Sequence, residues 1–247
     1  MDPTAIILAA GAGRRIAQAH AEPKCLLRFN GRTLLERHLH CLARAGVDRI
    51  VLCVGYRADR VRAELERLGA ARRVRIVENP EWEQGSVITL WAARAAMDGA
   101  ESLIMDADVL YAPEILERLV RSPVENCFLL DRGFEPGEEP VKLCVAGSRL
   151  VEFRKRLAPD LAYDYCGESV GFFRFGPAVG ARLARRTEHY RAAGRGNEPH
   201  EEAIRDLLLE SPGDFGFEDV TGLPWLEIDF AGDIERAERS ILPRLQE

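Results

Sequence analysis

The 247-residue chain has no long apolar run, no cysteine or histidine grouping at zinc spacing and no surplus of basic charge. Each absence narrows the field. Ile6 to Ala10 is far too short to span a bilayer, and the N-terminus lacks the basic, apolar, small-residue order of a secretion signal. Neither membrane insertion nor secretion is expected. The six cysteines (Cys25, Cys41, Cys53, Cys127, Cys144, Cys166) are scattered without a CxxC pair, as expected of reduced, mostly buried thiols in a cytoplasmic protein. A net charge of -6 leaves no chain-wide basic footprint, so no nucleic-acid partner is expected. The five histidines form no ligand pair: His38 and His40 lie two apart on a helical segment and cannot share a face. There is also no Ser/Gly or Pro-rich linker and no recurring period. What remains, 47% hydrophobic and 30% charged, is enough to bury a full core and excludes disorder.

Short apolar runs alternate with helical periodicity: Ala5–Ala10 then Leu34–Ala45, Ile50–Val54 then Val61–Leu68, Val74–Val77 then Val87–Met97, Ser102–Met105 then Ile115–Val120. Four strand-then-helix units predict an α/β fold with a doubly wound, mostly parallel sheet. Gly46 and Gly69 mark helix ends, Ser86 is a candidate cap for the third helix, and Pro113 suits a first helical turn. After Asp131 the rhythm changes. An acidic loop (134–140) leads to a hairpin of Val141–Val145 and Leu150–Phe153 around Gly147-Ser148. Val170–Phe175, helices near Pro177–His189 and His200–Leu209, a strand near Phe217–Val220 and a helix from Asp233 follow. The expected organisation is one domain over 1–247: a core (1–131), an α+β insertion or lid (132–222), and a returning strand with a closing helix (223–247).

Leu8-Ala9-Ala10-Gly11-Ala12-Gly13-Arg14-Arg15 leaves the first strand, with Pro23-Lys24 downstream. Small residues let backbone N–H groups approach a phosphate or base, and the cations balance phosphate charge. Gly11-x-Gly13 alone fits a tight turn or part of a dinucleotide fingerprint, but Ile16 replaces the third glycine of that fingerprint, and no Walker A sequence occurs. Two acidic clusters stand out as well. Asp106 and Asp108 lie where an apolar strand runs out, at the ligand-binding edge of such a sheet, and Glu227 and Asp229 alternate with apolar neighbours so that both face one way. Hard carboxylate oxygens suit magnesium. Asp233 is read as a helix cap.

The first loop resembles that of the nucleotidyltransferases with a GT-A/Rossmann-like fold, LAAGxGxR followed by PK, and matches every defined position from Leu8 to Arg15 and at Pro23-Lys24. The resemblance implies that this loop, with Gln84, Gly85, Ser86, Thr89 and Asp106, binds the nucleotide. It further implies that Arg15 and Lys24 stabilise phosphate charge and that Asp108 and Asp229 hold Mg2+, while Arg14 falls on the variable position. Val54-Gly55-Tyr56, Asn79-Pro80-Glu81-Trp82, Glu139-Pro140-Val141-Lys142 and Gly167-Glu168-Ser169-Val170-Gly171 look like the branch of phosphocholine, 2-aminoethylphosphonate and inositol-phosphate cytidylyltransferases. Where that branch often has N-x-x-S-L, this chain has Ser86-Val87-Ile88-Thr89-Leu90.

The implied reaction is in-line attack of a phosphate or phosphonate oxygen on the α-phosphorus of CTP, releasing pyrophosphate, with catalysis by positioning and charge neutralisation. Lys142 either binds the incoming phosphoryl group or is a surface strand lysine. Tyr111, Glu168 and Glu227 are candidates for the acceptor, whose ammonium group, if present, would suit a carboxylate or the aromatic faces of Trp82, Trp91, Trp225, Tyr163 or Tyr165. Acidic residues after Pro199-His200 are explained by the helix dipole. Competing expectations are a sugar-1-phosphate nucleotidyltransferase using another NTP and a catalytically silent nucleotide-binding regulator; a homodimer is compatible with either. A hydride-transferring enzyme is disfavoured by Ile16.

Overall fold

A computed structural model describes residues 3–16, 21–135 and 137–245; Pro136, within the expected acidic loop, lies outside them. The first half follows the expected alternation. Strand β1 (Thr4–Ala9) leads through the glycine loop to a small hairpin, β2 (Arg28–Phe29) and β3 (Arg32–Thr33), and then to α1 (Leu34–Arg44). Thr33 starts that helix by accepting the Glu36 N–H on its hydroxyl at 3.0 Å. Next come β4 (Arg49–Val54), α2 (Ala58–Arg67), β5 (Val74–Glu78), α3 (Ser86–Ala92), β6 (Ser102–Asp106), β7 (Val109–Tyr111) and α4 (Pro113–Arg121). Gly46 and Gly69 do take positive φ, +78° and +64°, just past α1 and α2, and Pro113 occupies the first turn of α4.

In the second half, β8 (Cys127–Asp131) is a strand that the sequence pattern did not separate from its surroundings. The hairpin β9 (Lys142–Ala146) and β10 (Arg149–Arg154) follows, then the long β11 (Tyr165–Phe175), α5 (Pro177–Ala192), α6 (His200–Glu210), β12 (Gly216–Asp219), β13 (Trp225–Glu227) and α7 (Ala231–Arg236). The central sheet runs β10-β9-β11-β6-β1-β4-β5, with β8 beside β11 and β12 beside β8. Its β6-β1-β4-β5 portion is parallel, whereas β11 joins antiparallel to β6, β8 and β9.

Alternate residues of each strand feed two apolar layers. Ile7, Leu52, Met105 and Phe172 pack with α1, α2 and α4, and Ile6, Val51, Ile104 and Phe173 pack with α3, α5 and α6. A third cluster ties Ile16, Leu27, Phe29 and Leu34 to Leu226, Ile228, Ala237 and Ile241, so both ends of the chain share one apolar seam. Among the described residues no helix is long and apolar enough to cross a membrane. Five cysteines are buried, Cys166 is partly exposed, and none is disulfide-bonded.

Two local expectations change. The third helix was expected over Val87–Met97, but α3 ends at Ala92 and the chain tightens into a 3₁₀ turn at Arg94–Ala96. Its N-cap is Gly85, and the Ser86 hydroxyl instead accepts the His200 N–H at 2.9 Å. A residue already inside the first turn is too far along to cap it.

Candidate active site

Parallel β1 and β6 end side by side, Leu8 opposite Asp106. The glycine loop and the acidic turn therefore leave the sheet at the same edge, where ligands of such folds gather. β13 then pairs antiparallel with β7, Glu227 opposite Val109, and the Ile228 N–H donates to the Asp108 carbonyl at 2.9 Å. This pairing carries Glu227 and Asp229 back beside Asp108, more than a hundred residues away in sequence. One oxygen from each of Asp108, Glu227 and Asp229 lies within 4.8 Å of the others. Asp233 fixes the segment from behind, accepting the Asp229 and Phe230 N–H groups at 2.9 and 2.7 Å.

Lys24 lies between two of these carboxylates, with Nζ 2.8 Å from Asp108 and 2.7 Å from Asp229. Gly13 makes room for the lysine stem: its φ is +57°, and a Cβ there would meet Lys24 Cγ at 2.9 Å. Burial pulls the Lys24 ammonium down, but Asp108 and Asp229 more than reverse it and hold it above the ordinary lysine value. Burial and the same two aspartates push the Glu227 carboxyl well above the ordinary range. Arg15 adds a second cation, 3.0 Å from Asp229 and 2.8 Å from Glu139, with its guanidinium over the Phe230 ring. Three hard oxygen donors, with an ammonium already drawn in among them, suit a divalent cation.

Two clefts meet at this cluster. One, of about 290 Å³, is lined by Leu8, Ala9, Ala10, Gly11, Gly13, Arg15, Lys24, Gln84, Ser86, Thr89, Asp106 and Asp108, and also by Lys155, His200 and Glu201. Ala12 is in the same loop but does not line it. Gly85 sits just behind, its N–H on the Gly196 carbonyl at 2.8 Å; a Cβ there would meet the Glu198 carbonyl at 2.1 Å, so only glycine fits. The Thr89 hydroxyl accepts from Asn79 at 3.1 Å, and Gln84 donates to Glu81 at 2.8 Å. The other cleft, of about 520 Å³, is lined by Asp131, Phe134, Glu135, Glu139, Glu168, Trp225, Phe230 and Arg236. Burial and the neighbouring Asp131 push Glu168 up to about 7, and Trp225 donates its indole N–H to Asp131 at 2.7 Å. Glu227 and Asp229 line both clefts.

Two expected site residues lie elsewhere. Tyr111 is buried against His38 and Phe172, its ring edge-on to Phe172 at 4.7 Å, because β7 turns that side of the strand into the core. Lys142 lines neither cleft, since its ammonium is held by the carbonyls of Gly137, Pro140 and Lys155 at 2.7, 3.3 and 2.8 Å. Lys155, ion-paired with Glu139 at 3.2 Å, does line the smaller cleft, together with Lys24. A compositional signal was available for it: Lys24, Lys142 and Lys155 are the only lysines in a chain that otherwise uses arginine, and a compact ammonium is not interchangeable with a guanidinium fork. His200 was also missed. Its ring is buried at the start of α6, and although burial alone would lower it, Glu201 and Asp106 raise it to about 9. Asp106 itself is pushed up to about 7 by burial, opposed by His200.

Residues 5–162 match the model of the MobA-like NTP transferase domain. Over 243 residues, 96% of this chain and 52% of the relative, the sequence is 30% identical to a bifunctional IPC transferase and DIPP synthase of Rubrobacter xylanophilus. It is 28% identical over 252 residues, 97% of this chain and 39% of the relative, to a CMP-5'-(3-aminopropyl)phosphonate synthase of Streptomyces rubellomurinus. The chain thus spans about half or less of the length of these curated relatives. The fold also resembles the structure of the inositol-1-phosphate CTP transferase from T. maritima, with a TM-score of 0.79 at 22% identity over 100% of this chain and 97% of that one. The α/β architecture expected from the strand-helix rhythm is the architecture found.

Proposed function

The chain belongs to the family of MobA-like NTP transferase domains, and from that premise we propose that it transfers a cytidylyl group from CTP to a small phospho-alcohol or alkylphosphonate, releasing pyrophosphate. One observation carries this reading: Glu227 and Asp229 line two clefts at once. A group-transfer site needs a donor on one side and an acceptor on the other, with charge control at the junction. The glycine-rich side takes the nucleotide. The acidic, aromatic side takes the acceptor, and Glu168, Trp225 and Phe230 favour one that carries an ammonium group over a neutral polyol. The name of the Streptomyces relative, a CMP-5'-(3-aminopropyl)phosphonate synthase, supports the cytidylyl and phosphonate part of the reading.

The attacking phosphate or phosphonate oxygen is already an anion, so no general base is called for. Lys24 and Arg15, which now neutralise Asp108, Asp229 and Glu139, would turn to the triphosphate and the leaving pyrophosphate, and Lys155 would meet the same charge from the opposite wall. Asp108 and Asp229, with Glu227 beside them, would hold magnesium, which when bound neutralises phosphate oxygens as a Lewis acid. The test is pyrophosphate release with magnesium, each of the four NTPs, and phosphocholine, 2-aminoethylphosphonate, inositol 1-phosphate and glucose 1-phosphate as acceptors. CTP with an amino-bearing acceptor should give the highest turnover. Release only with glucose 1-phosphate and another NTP would replace this reading by a sugar-phosphate one, and inositol 1-phosphate as the best acceptor would remove the ammonium from it.

A further inference from the structure

His200 opens α6 with its backbone N–H and ring Nδ1 both on the Ser86 hydroxyl, at 2.9 and 3.0 Å, and Glu201 adds a contact to Nδ1 at 3.0 Å. One edge of the ring is fully engaged. The other nitrogen, Nε2, is buried and has no hydrogen-bond partner among the described residues, although leaving a buried donor unpaired is costly. The nearest charged atom is Asp106 Oδ1, at 3.9 Å. That is too long for a hydrogen bond, but the span lets a single hydroxyl oxygen sit within about 2.8 Å of both atoms. Gly171 leaves the space that the Asp106 carboxylate takes up: a Cβ there would meet Oδ2 at 2.4 Å. Both groups line the glycine-rich cleft.

We propose that His200 and Asp106 grip a ribose hydroxyl of the bound nucleotide, so that His200 selects ribonucleotides over deoxyribonucleotides. This rests on the nucleotide reading of the cleft. Ser86, on which the ring is seated, lines the cleft with Gln84 and Thr89, the side this reading gives to the base, while Asp108, two residues beyond Asp106, faces Lys24, the side it gives to the triphosphate. In any nucleotide the ribose lies between base and phosphates, and the gap runs from His200, held by Ser86, to Asp106, two residues before Asp108. A ribose hydroxyl also has the required chemistry, donating to the carboxylate while accepting from Nε2–H.

The test compares CTP with 2'-deoxy-CTP and 3'-deoxy-CTP in the wild type, in His200→Phe, which keeps a ring against Phe173, and in Asp106→Asn. The wild type should prefer CTP over one of the two analogues by at least about tenfold in kcat/KM, since removing the hydroxyl leaves both buried groups unpaired. Both variants should bring that ratio to within about threefold of one by losing efficiency on CTP, not by gaining it on the analogue. A wild type that uses both analogues as well as CTP, or a folded His200→Phe that keeps the wild-type ratio, would overturn the proposal. Should His200→Phe fail to fold, Asp106→Asn carries the comparison. If a different NTP is turned over, its own deoxy analogues take the place of those of CTP. If no NTP releases pyrophosphate, the transferase reading fails, and calorimetric binding of ribo- and deoxynucleotides still decides the selectivity; absence of any nucleotide binding removes both.

Discussion

Asp108, Glu227 and Asp229 crowd three carboxylates into a space of 4.8 Å, and the fold tolerates them because Lys24 and Arg15 reach in and Glu227 is driven toward its neutral form. Asp108→Ala should therefore cut turnover by roughly a hundredfold to a thousandfold or more, while the melting temperature stays level or rises, since a like charge is removed and Lys24 keeps Asp229. A melting curve beside a pyrophosphate assay checks both; a collapse in stability would mean that the pair with Lys24 is structural. Glu168 gives a pH signature of its own. Its unfolded carboxyl titrates near 4.5 and its folded one at about 7, so between those values the unfolded state holds fewer protons and stability falls as pH rises. Glu168→Gln should flatten that fall and raise the melting temperature at pH 8 by at least about 2 °C; an unchanged pH profile would remove the burial argument. Lys24, Arg15, Asp108 and Asp229 were legible in the sequence because their spacing is a motif. His200 and Lys155 were not, because their role comes from where α6 and the end of β10 dock.

Strand β11 touches both sides of the site: Glu168 lines the larger cleft, and Gly171 packs against Asp106, which lines the smaller. Its first half pairs with β9, its second with β6, and the register breaks between Ser169 and Phe173 against β8. Gly171, at φ +79°, makes the bend and lets the backbone meet Asp106. Gly171→Ala combines a left-handed strain with a collision at a buried carboxylate, and it should cost about 1–3 kcal/mol. It should also raise KM for the nucleotide more than KM for the acceptor. Equal effects on both would show that the bend serves stability alone. The sequence pattern found the Val170–Phe175 half of this strand and missed Tyr165–Ser169, where Gly167, Glu168 and Ser169 carry no strand signal and pairing with β9 decides the conformation. Strand β8 was missed for the opposite reason: Cys127–Asp131 is apolar on both faces, and a short apolar run does not announce its period. The core helices were legible, apart from the start and end of α3, since their apolar stripes depend on local spacing.

Taken whole, the molecule is an acidic protein whose proposed ligand, a nucleoside triphosphate, is more acidic still, and Lys24 is proposed to manage that charge. With its side chain only 13% exposed between Asp108 and Asp229, the ammonium occupies the charge that a divalent cation would otherwise neutralise. Magnesium arriving alone must displace a largely buried cation from the two carboxylates that hold it. Magnesium arriving with a triphosphate brings the displaced lysine an anionic partner. The apolar seam packs Leu27 and Ile228, near Lys24 and Asp229 in the chain, into one cluster. Magnesium alone should therefore shift the melting temperature little, and CTP with magnesium by several degrees through preferential binding to the folded state. In Lys24→Gln the order should change: turnover drops, yet magnesium alone now stabilises the protein, because the carboxylates are left without their internal cation. A wild-type protein stabilised as strongly by magnesium alone as by magnesium with CTP, or a Lys24→Gln protein no more sensitive to magnesium than the wild type, would show that Lys24 does not compete for that position.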